Sequence, residues 1–259
     1  MIGDIARLTE HRPWPLPSGP WVMAQQWQDL LFAHWPLPPA AVQALIPPAL
    51  PIDTFDGQAW LAVVPFRMRN VRPRLLPAVP WLSHFHELNV RTYVRVRDQG
   101  VEKRGVYFFS LDAANPMAVW IARHTFHLPY FNAAMQSQSD ENVITYSSHR
   151  RHRGAPRANF SAIYGPAGQT YQARPGDLDH WLTERYALYT VDHKGCPMIG
   201  EIHHAPWPLQ PGKVDGLQAA DLVGAAAIAL PNALPLLHFA RTLDVLVWPL
   251  RTISPNLNL

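Results

Sequence analysis

The sequence predicts a mostly β fold with a few short helices, an antiparallel barrel or sandwich built as one domain, and three observations carry that expectation. Short runs with strand-like apolar alternation recur along the whole chain and outnumber helical periodicities. The 27 prolines are spread over the length, so they punctuate many short elements and leave no flexible linker between two domains. With 259 residues, 48% hydrophobic and only 16% charged, the chain has material for one large core, and closed β architectures reach this length as a single unit.

Residues 1–20 read as an N-terminal arm and 21–259 as the barrel domain. Within the arm, HRPWPLPSGP (11–20) is expected to be extended, because each proline fixes φ and steers the residue before it away from helix. Its Trp14 must dock on the domain or fray. Pro38 and Pro39 suit a first helical turn, and Val42, Leu45 and Ile46 recur at helical spacing until Pro47 and Pro48 end the run.

AWLAVVPFRM (59–68) and ELNVRTYVRVR (87–97) read as strands. The second alternates strictly, with Leu88, Val90, Thr92, Val94 and Val96 on one face and Glu87, Asn89, Arg91, Tyr93, Arg95 and Arg97 on the other. GVYFFSL (105–111) is apolar on both faces and so central. Asn115 before Pro116 is a helix cap and first-turn signal, opening a helix through Val119, Ala122, Arg123 and Phe126 that Pro129 stops. Further strands are expected at 143–148, 158–164, 186–191, 199–204, 236–240 and 245–248, with a turn at 165–168 and a short helix at 177–184.

The net charge of +3 is too mild to predict a nucleic-acid partner. The basic run RRHRGAPR (150–157) reads as a solvated loop or strand edge that deters edge pairing. Cys196 is the single cysteine, the N-terminus lacks a basic start followed by an apolar run, and LVGAAAIAL (222–230) stops at Pro231, well short of the roughly 18 apolar residues a spanning helix needs. The expected setting is cytoplasmic, with no membrane partner, and homo-oligomerisation is left open.

There is no Walker loop, GxSxG elbow, HExxH or strand-linked GxGxxG, so nucleotide hydrolysis, lipase chemistry and ordinary nicotinamide binding lose support. Three constellations remain. His84 and His86 share a strand face and suit a metal, with a third ligand from His124, His127, His203 or His204. A chain with 13 histidines also places such pairs as packed core residues, and no second motif fixes further ligands, so neither metal nor cofactor is expected. The polar face Glu87, Asn89, Arg91 either meets water or, in a closed barrel, lines a cavity where apolar walls raise the carboxyl pKa toward acid/base work. In ARHTFHLPYF (122–131), Arg123 suits a carboxylate clamp and Tyr130 a hydrogen-bond donor, or the aromatic pair simply packs beneath a turn.

QQWQDLLFAHWPLP, LIPPALPIDTFDGQAWLAVVPFRM, FHELNVRTYV, GVYFFSLDAANPMAV, ARHTFHLPY, ERYALYT and HHAPWPL, taken together, resemble the YqjF-like family, bacterial proteins described as a domain of unknown function, from about Trp21 to Trp248. That family is similar, more distantly, to acetoacetate decarboxylase. The resemblance implies a cone-shaped antiparallel β-barrel with a central pocket and short peripheral helices. It places Glu87 on an active-site glutamate and Tyr130 with Phe131 on a pair of lysines. It also puts Leu61 where the decarboxylase has a second pocket glutamate, and Gln26 to Gln28 near its early arginine.

Tyrosine cannot form the iminium on which the decarboxylase mechanism depends. Only Lys103, Lys194 and Lys213 are lysines, and all three are expected in turns or loops. The sequence therefore points to a small-molecule pocket with Glu87 and Tyr130 as candidate catalytic residues and Arg91, Arg123, Asn89 and Phe131 as candidate binding residues. Its chemistry would be a lysine-independent enolisation, hydration, dehydration or isomerisation, and the alternatives are non-catalytic ligand binding or sensing and, second, a histidine-based metal site.

Overall fold

The computed structural model describes residues 2–253, so the last six positions of the expected domain, 254–259, lie outside the described residues. The strands are β1 (Met23–Leu37), β2 (Ala59–Pro73), β3 (Phe85–Asp98), β4 (Val101–Ala113), β5 (Tyr130–Asp140) and β6 (Val143–Arg150), followed by β7 (Asn159–Pro166), β8 (Ala187–Val191), β9 (Pro197–His203), β10 (Leu209–Gln218), β11 (Leu236–Val247) and β12 (Arg251–Thr252). They follow the order β12-β9-β8-β4-β3-β2-β1-β11-β10-β7-β6-β5, with β9–β11 and β4–β5 as additional pairings.

Those two extra pairings close the sheet twice. The path β4-β3-β2-β1-β11-β10-β7-β6-β5 returns to β4 as a nine-strand barrel, and β9-β8-β4-β3-β2-β1-β11 returns to β9 as a seven-strand ring. Strands β1 to β4 and β11 belong to both, so both faces of each are largely buried. Leu31, Ala33, Leu61, Val63, Leu88, Val90 and Phe239 pack with Tyr146, Phe160 and Tyr164 inside the nine-strand barrel. Phe32, Val64, Phe66, Tyr93, Phe108 and Val245 face the other interior, with Ile202 of β9 and Trp207. Pairing is antiparallel except for β4 with β5 and β4 with β8. Gly105 permits the close approach of β8, since a Cβ there would lie 2.4 Å from the Ala187 carbonyl oxygen.

The helices are short: α1 (Ile2–Ile5), α2 (Pro39–Gln43), α3 (Pro80–Ser83), α4 (Pro116–Thr125), α5 (Leu178–Thr183) and α6 (Ala220–Gly224). Among the described residues no helix is long and apolar enough to cross a membrane. α4 starts as the sequence indicates, with the Asn115 side chain accepting from the amides of Met117 and Ala118 at 3.1 Å.

The sequence reading missed several elements. The middle of β1, Leu30–Trp35, is buried on both faces and so has no alternation to read. β5 is largely polar, β10 contains Pro211, Gly212 and Gly216, and the two strands expected at 236–248 are one strand, β11. The arm opens with one helical turn before the irregular stretch. Trp14 docks, its indole N–H donating to Glu201 at 2.7 Å.

Two lysine expectations are corrected. Lys103 lies within β4, buried, with Nζ 2.7 Å from Glu201 and 3.3 Å from Asp98, and Lys213 lies within β10. Lys194 sits in an exposed turn whose amide donates to Asp192.

Candidate functional site

The alternation of β3 aims Glu87, Asn89 and Arg91 into one cavity of about 240 Å³, walled by strands of the seven-strand ring and by α4. Its lining is apolar apart from a few side chains, among which Glu87, Arg91 and Arg185 carry charge. Of the two environments the Glu87 face left open, the structure has the cavity.

Tyr130 enters from the first position of β5. The chain leaves α4, passes through His127 at φ 48° and Pro129, and pairs in parallel with β4 so that Tyr130 stands beside Leu111. The Tyr130 hydroxyl donates to Glu87 Oε2 at 2.9 Å. Glu87 is 3% exposed. Burial raises its pKa to about 7, while hydrogen bonds from Tyr130 and Asn89 hold back part of that rise. Tyr130 is displaced well above the ordinary phenol range, by burial first and then by the Glu87 charge, and so stays a neutral donor.

Arg123 and Phe131 do not line the cavity. Arg123 is on the exposed side of α4 and donates from Nη1 to the Tyr130 carbonyl at 2.7 Å, so it braces the backbone that carries the phenol. Phe131, the next residue on a pleated strand, points the other way, between the guanidinium of Arg150 at 4.1 Å and that of Arg123 at 5.9 Å. Arg150 is not a solvated edge residue, since it pairs at 2.8 Å with buried Asp112, whose pKa burial lifts to about 6 against the pull of that arginine.

The histidines are dispersed. His86 lies 2.8 Å from the Ser137 hydroxyl, and His84 accepts the Asn70 amide. Among the described residues no three His, Cys, Asp or Glu side chains are grouped to hold a metal.

Several lining residues were not picked out as site residues from sequence, namely Gln25, Trp27, Thr183, Arg185 and Trp207, and His204, which the sequence suggests only as a metal ligand, lines the cavity as well. Parity along β1 brings Gln25 and Trp27 inward, where Trp27 donates to Gln25 at 2.9 Å, while Gln26 turns to Asp244. Leu61 faces the nine-strand interior instead. The one available signal was the pair of segments ERYALYT and HHAPWPL, whose aromatic and basic residues converge on the same ring.

The doubly closed barrel defines this chain as a protein of the acetoacetate-decarboxylase-like fold. A solved acetoacetate decarboxylase superposes with a TM-score of 0.58 at 15% identity, covering 100% of both chains. The enduracididine biosynthesis enzyme MppR, solved with pyruvate, superposes at 0.56 and 12% identity, covering 94% of this chain and 93% of its own. The chain belongs to the DUF2071 family of uncharacterized conserved proteins, whose model matches residues 24–244. It is 44% identical over 239 residues to the uncharacterized protein YqjF of Bacillus subtilis, covering 92% of this chain and 96% of that one.

Proposed function

We propose that the cavity binds a small organic molecule bearing a carbonyl or carboxylate group and that Glu87 acts on it as a general acid/base. Tyr130 serves as hydrogen-bond donor and Arg91 as anion partner. The observation that carries this reading is the Glu87–Tyr130 hydrogen bond in an apolar cavity, with the carboxyl titrating at about 7. A group poised there is populated in both forms near neutrality, so it can take a proton from a carbon beside a carbonyl and return it. The neutral phenol can donate to the oxygen on which charge develops.

None of the three lysines is among the cavity-lining residues, which supports enolisation, hydration, dehydration or isomerisation rather than amine chemistry. That a protein of similar fold holds pyruvate is in keeping with a small oxo acid or ketone. The competing idea of a purely binding protein would be favoured by a Glu87 neutralised by an arginine. Among the described residues Glu87 forms no ion pair with Arg91 or Arg123.

The test is hydrogen–deuterium exchange at the α-carbons of pyruvate and of butanone in heavy water, followed by NMR. Acceleration by the protein is expected, with loss on Glu87→Gln and a reduction on Tyr130→Phe. Exchange and binding of every ligand found unchanged in both variants would sink the assignment.

A further inference from the structure

We infer that the ligand of this cavity is an amphipathic monocarboxylate, held head-inward at Arg91 with its apolar tail directed toward α3 and α4. The inference rests on the site proposed above and names the class of molecule that site takes.

Arg91 carries the first half of the argument. It is 7% exposed, lines the cavity, and among the described residues has no carboxylate within ion-pair distance. The other deeply buried arginines are each matched: Arg12 with Glu201 at 2.9 Å, and Arg185 with Asp53 at 2.7 Å. Burying a guanidinium without a counter-charge is costly, so such a cation facing a cavity calls for an anion from outside the chain.

Arg91 is also held ready. Its guanidinium carbon lies 5.3 Å from the Phe32 ring centroid and 5.8 Å from that of Tyr93, and its Nε has no hydrogen-bond partner. Tyr93 is itself anchored, its hydroxyl 2.7 Å from Nε2 of His34. A planar, pre-set guanidinium suits the two oxygens of a carboxylate.

The second half is the direction of polarity. Along β3 the inward residues run Phe85, Glu87, Asn89, Arg91, a rise of about 3.3 Å per residue and so roughly 20 Å from outer edge to cationic floor. Around the outer edge stand Met23, Val71, Pro73, Leu82, Ile121 and Phe126, all apolar and all part-exposed or exposed. Among the described residues the lining is largely apolar, with polar side chains at few positions, so a polyhydroxylated ligand would leave many of its hydroxyls unpaired. The cavity, about 240 Å³, is of small-ligand size, so a medium-chain acid and its short homologue are the probes that separate head from tail.

The experiment is calorimetric titration of the full chain with butanoate, octanoate and octan-1-ol. Affinity should rise about three- to fourfold per methylene, making octanoate on the order of a hundredfold tighter than butanoate. Octan-1-ol should bind at least tenfold more weakly than octanoate, and Arg91→Met should bring octanoate down to the level of the alcohol. Ala122→Trp, at the rim, should weaken octanoate and leave butanoate unchanged. Octanol matching octanoate in the wild-type chain would overturn the head-inward carboxylate, whatever the folding of the Arg91 variant. Butanoate binding as tightly as octanoate would overturn the tail while leaving the acid/base reading of Glu87 intact. Octanoate bound as expected, with no exchange at pyruvate or butanone, would uphold this inference and count against the enolisation reading of Glu87.

Discussion

The Tyr130 hydroxyl and Glu87 Oε2 are 2.9 Å apart, joining residues 43 positions distant in sequence inside an apolar cavity. The two groups answer burial in the same direction. Both are pushed toward the protonated form, Glu87 to about 7 and Tyr130 far above the physiological range. Only the carboxyl therefore changes state near neutral pH.

That asymmetry has a stability signature. Glu87 has a folded pKa near 7 against an ordinary 4.5, so the folded state binds the extra proton. Its contribution is full below about pH 4.5 and is lost as pH rises to about 7, amounting to about 3 kcal/mol over the window. Asp112 has the same sign, with its window ending at about 6. Urea unfolding of Glu87→Gln should therefore show a flatter decline than wild type between pH 6 and 7. Superimposable slopes there would contradict the raised carboxyl.

Tyr130→Phe keeps the ring and removes the donor. Because that hydrogen bond favours the charged carboxylate, its loss should move the Glu87 pKa further above 7, at about 1 to 3 kcal/mol in stability for the acceptor left unpaired. Infrared difference titration of isotope-labelled glutamate would follow the carboxyl directly. A downward shift would mean that the phenol is not the donor.

The Glu87 face was legible because β3 alternates, and the cap at Asn115 was legible because a side-chain acceptor before proline has one common use. What stayed hidden depended on double closure. The middle of β1 is apolar toward both interiors and so showed no pattern, and with it went Gln25 and Trp27, whereas β3, equally shared, keeps polar side chains toward the cavity. The sequence offers Arg123 as a carboxylate clamp and the resemblance places Phe131 on a lysine position, whereas a helix end and a strand pleat turn each of them away from the cavity.

Glu201 gathers Arg12, Trp14, Lys103 and Arg251, and so ties the N-terminal arm to β9 and β4. Burial works to raise its pKa, but Lys103, Trp14 and Arg12 outweigh that and leave it below the ordinary carboxylate range. The stabilisation is therefore present above about pH 4.5 and lost as pH falls through the lowered value. Glu201→Gln should lose about 3 to 5 kcal/mol, since it strands buried cations, and should raise amide hydrogen exchange across residues 6–22. Unchanged exchange in the arm would show that it is held by something other than this carboxylate.

Lys103 decides the amine question most sharply. It is the one buried lysine, 8% exposed, yet its ammonium is engaged by Glu201 at 2.7 Å and Asp98 at 3.3 Å, on a different part of β4 from the cavity. Two carboxylates that close occupy the ammonium in ion pairs, whereas a nucleophilic amine must be free to reach its carbonyl. Treatment of the protein with pyruvate and borohydride should therefore leave Lys103 unmodified in peptide mass spectra, with any reduced lysine adduct confined to exposed Lys194 and Lys213. A stoichiometric adduct at Lys103 would require the ion cluster to open in solution, and would return amine chemistry to a chain whose cavity holds a phenol in its place.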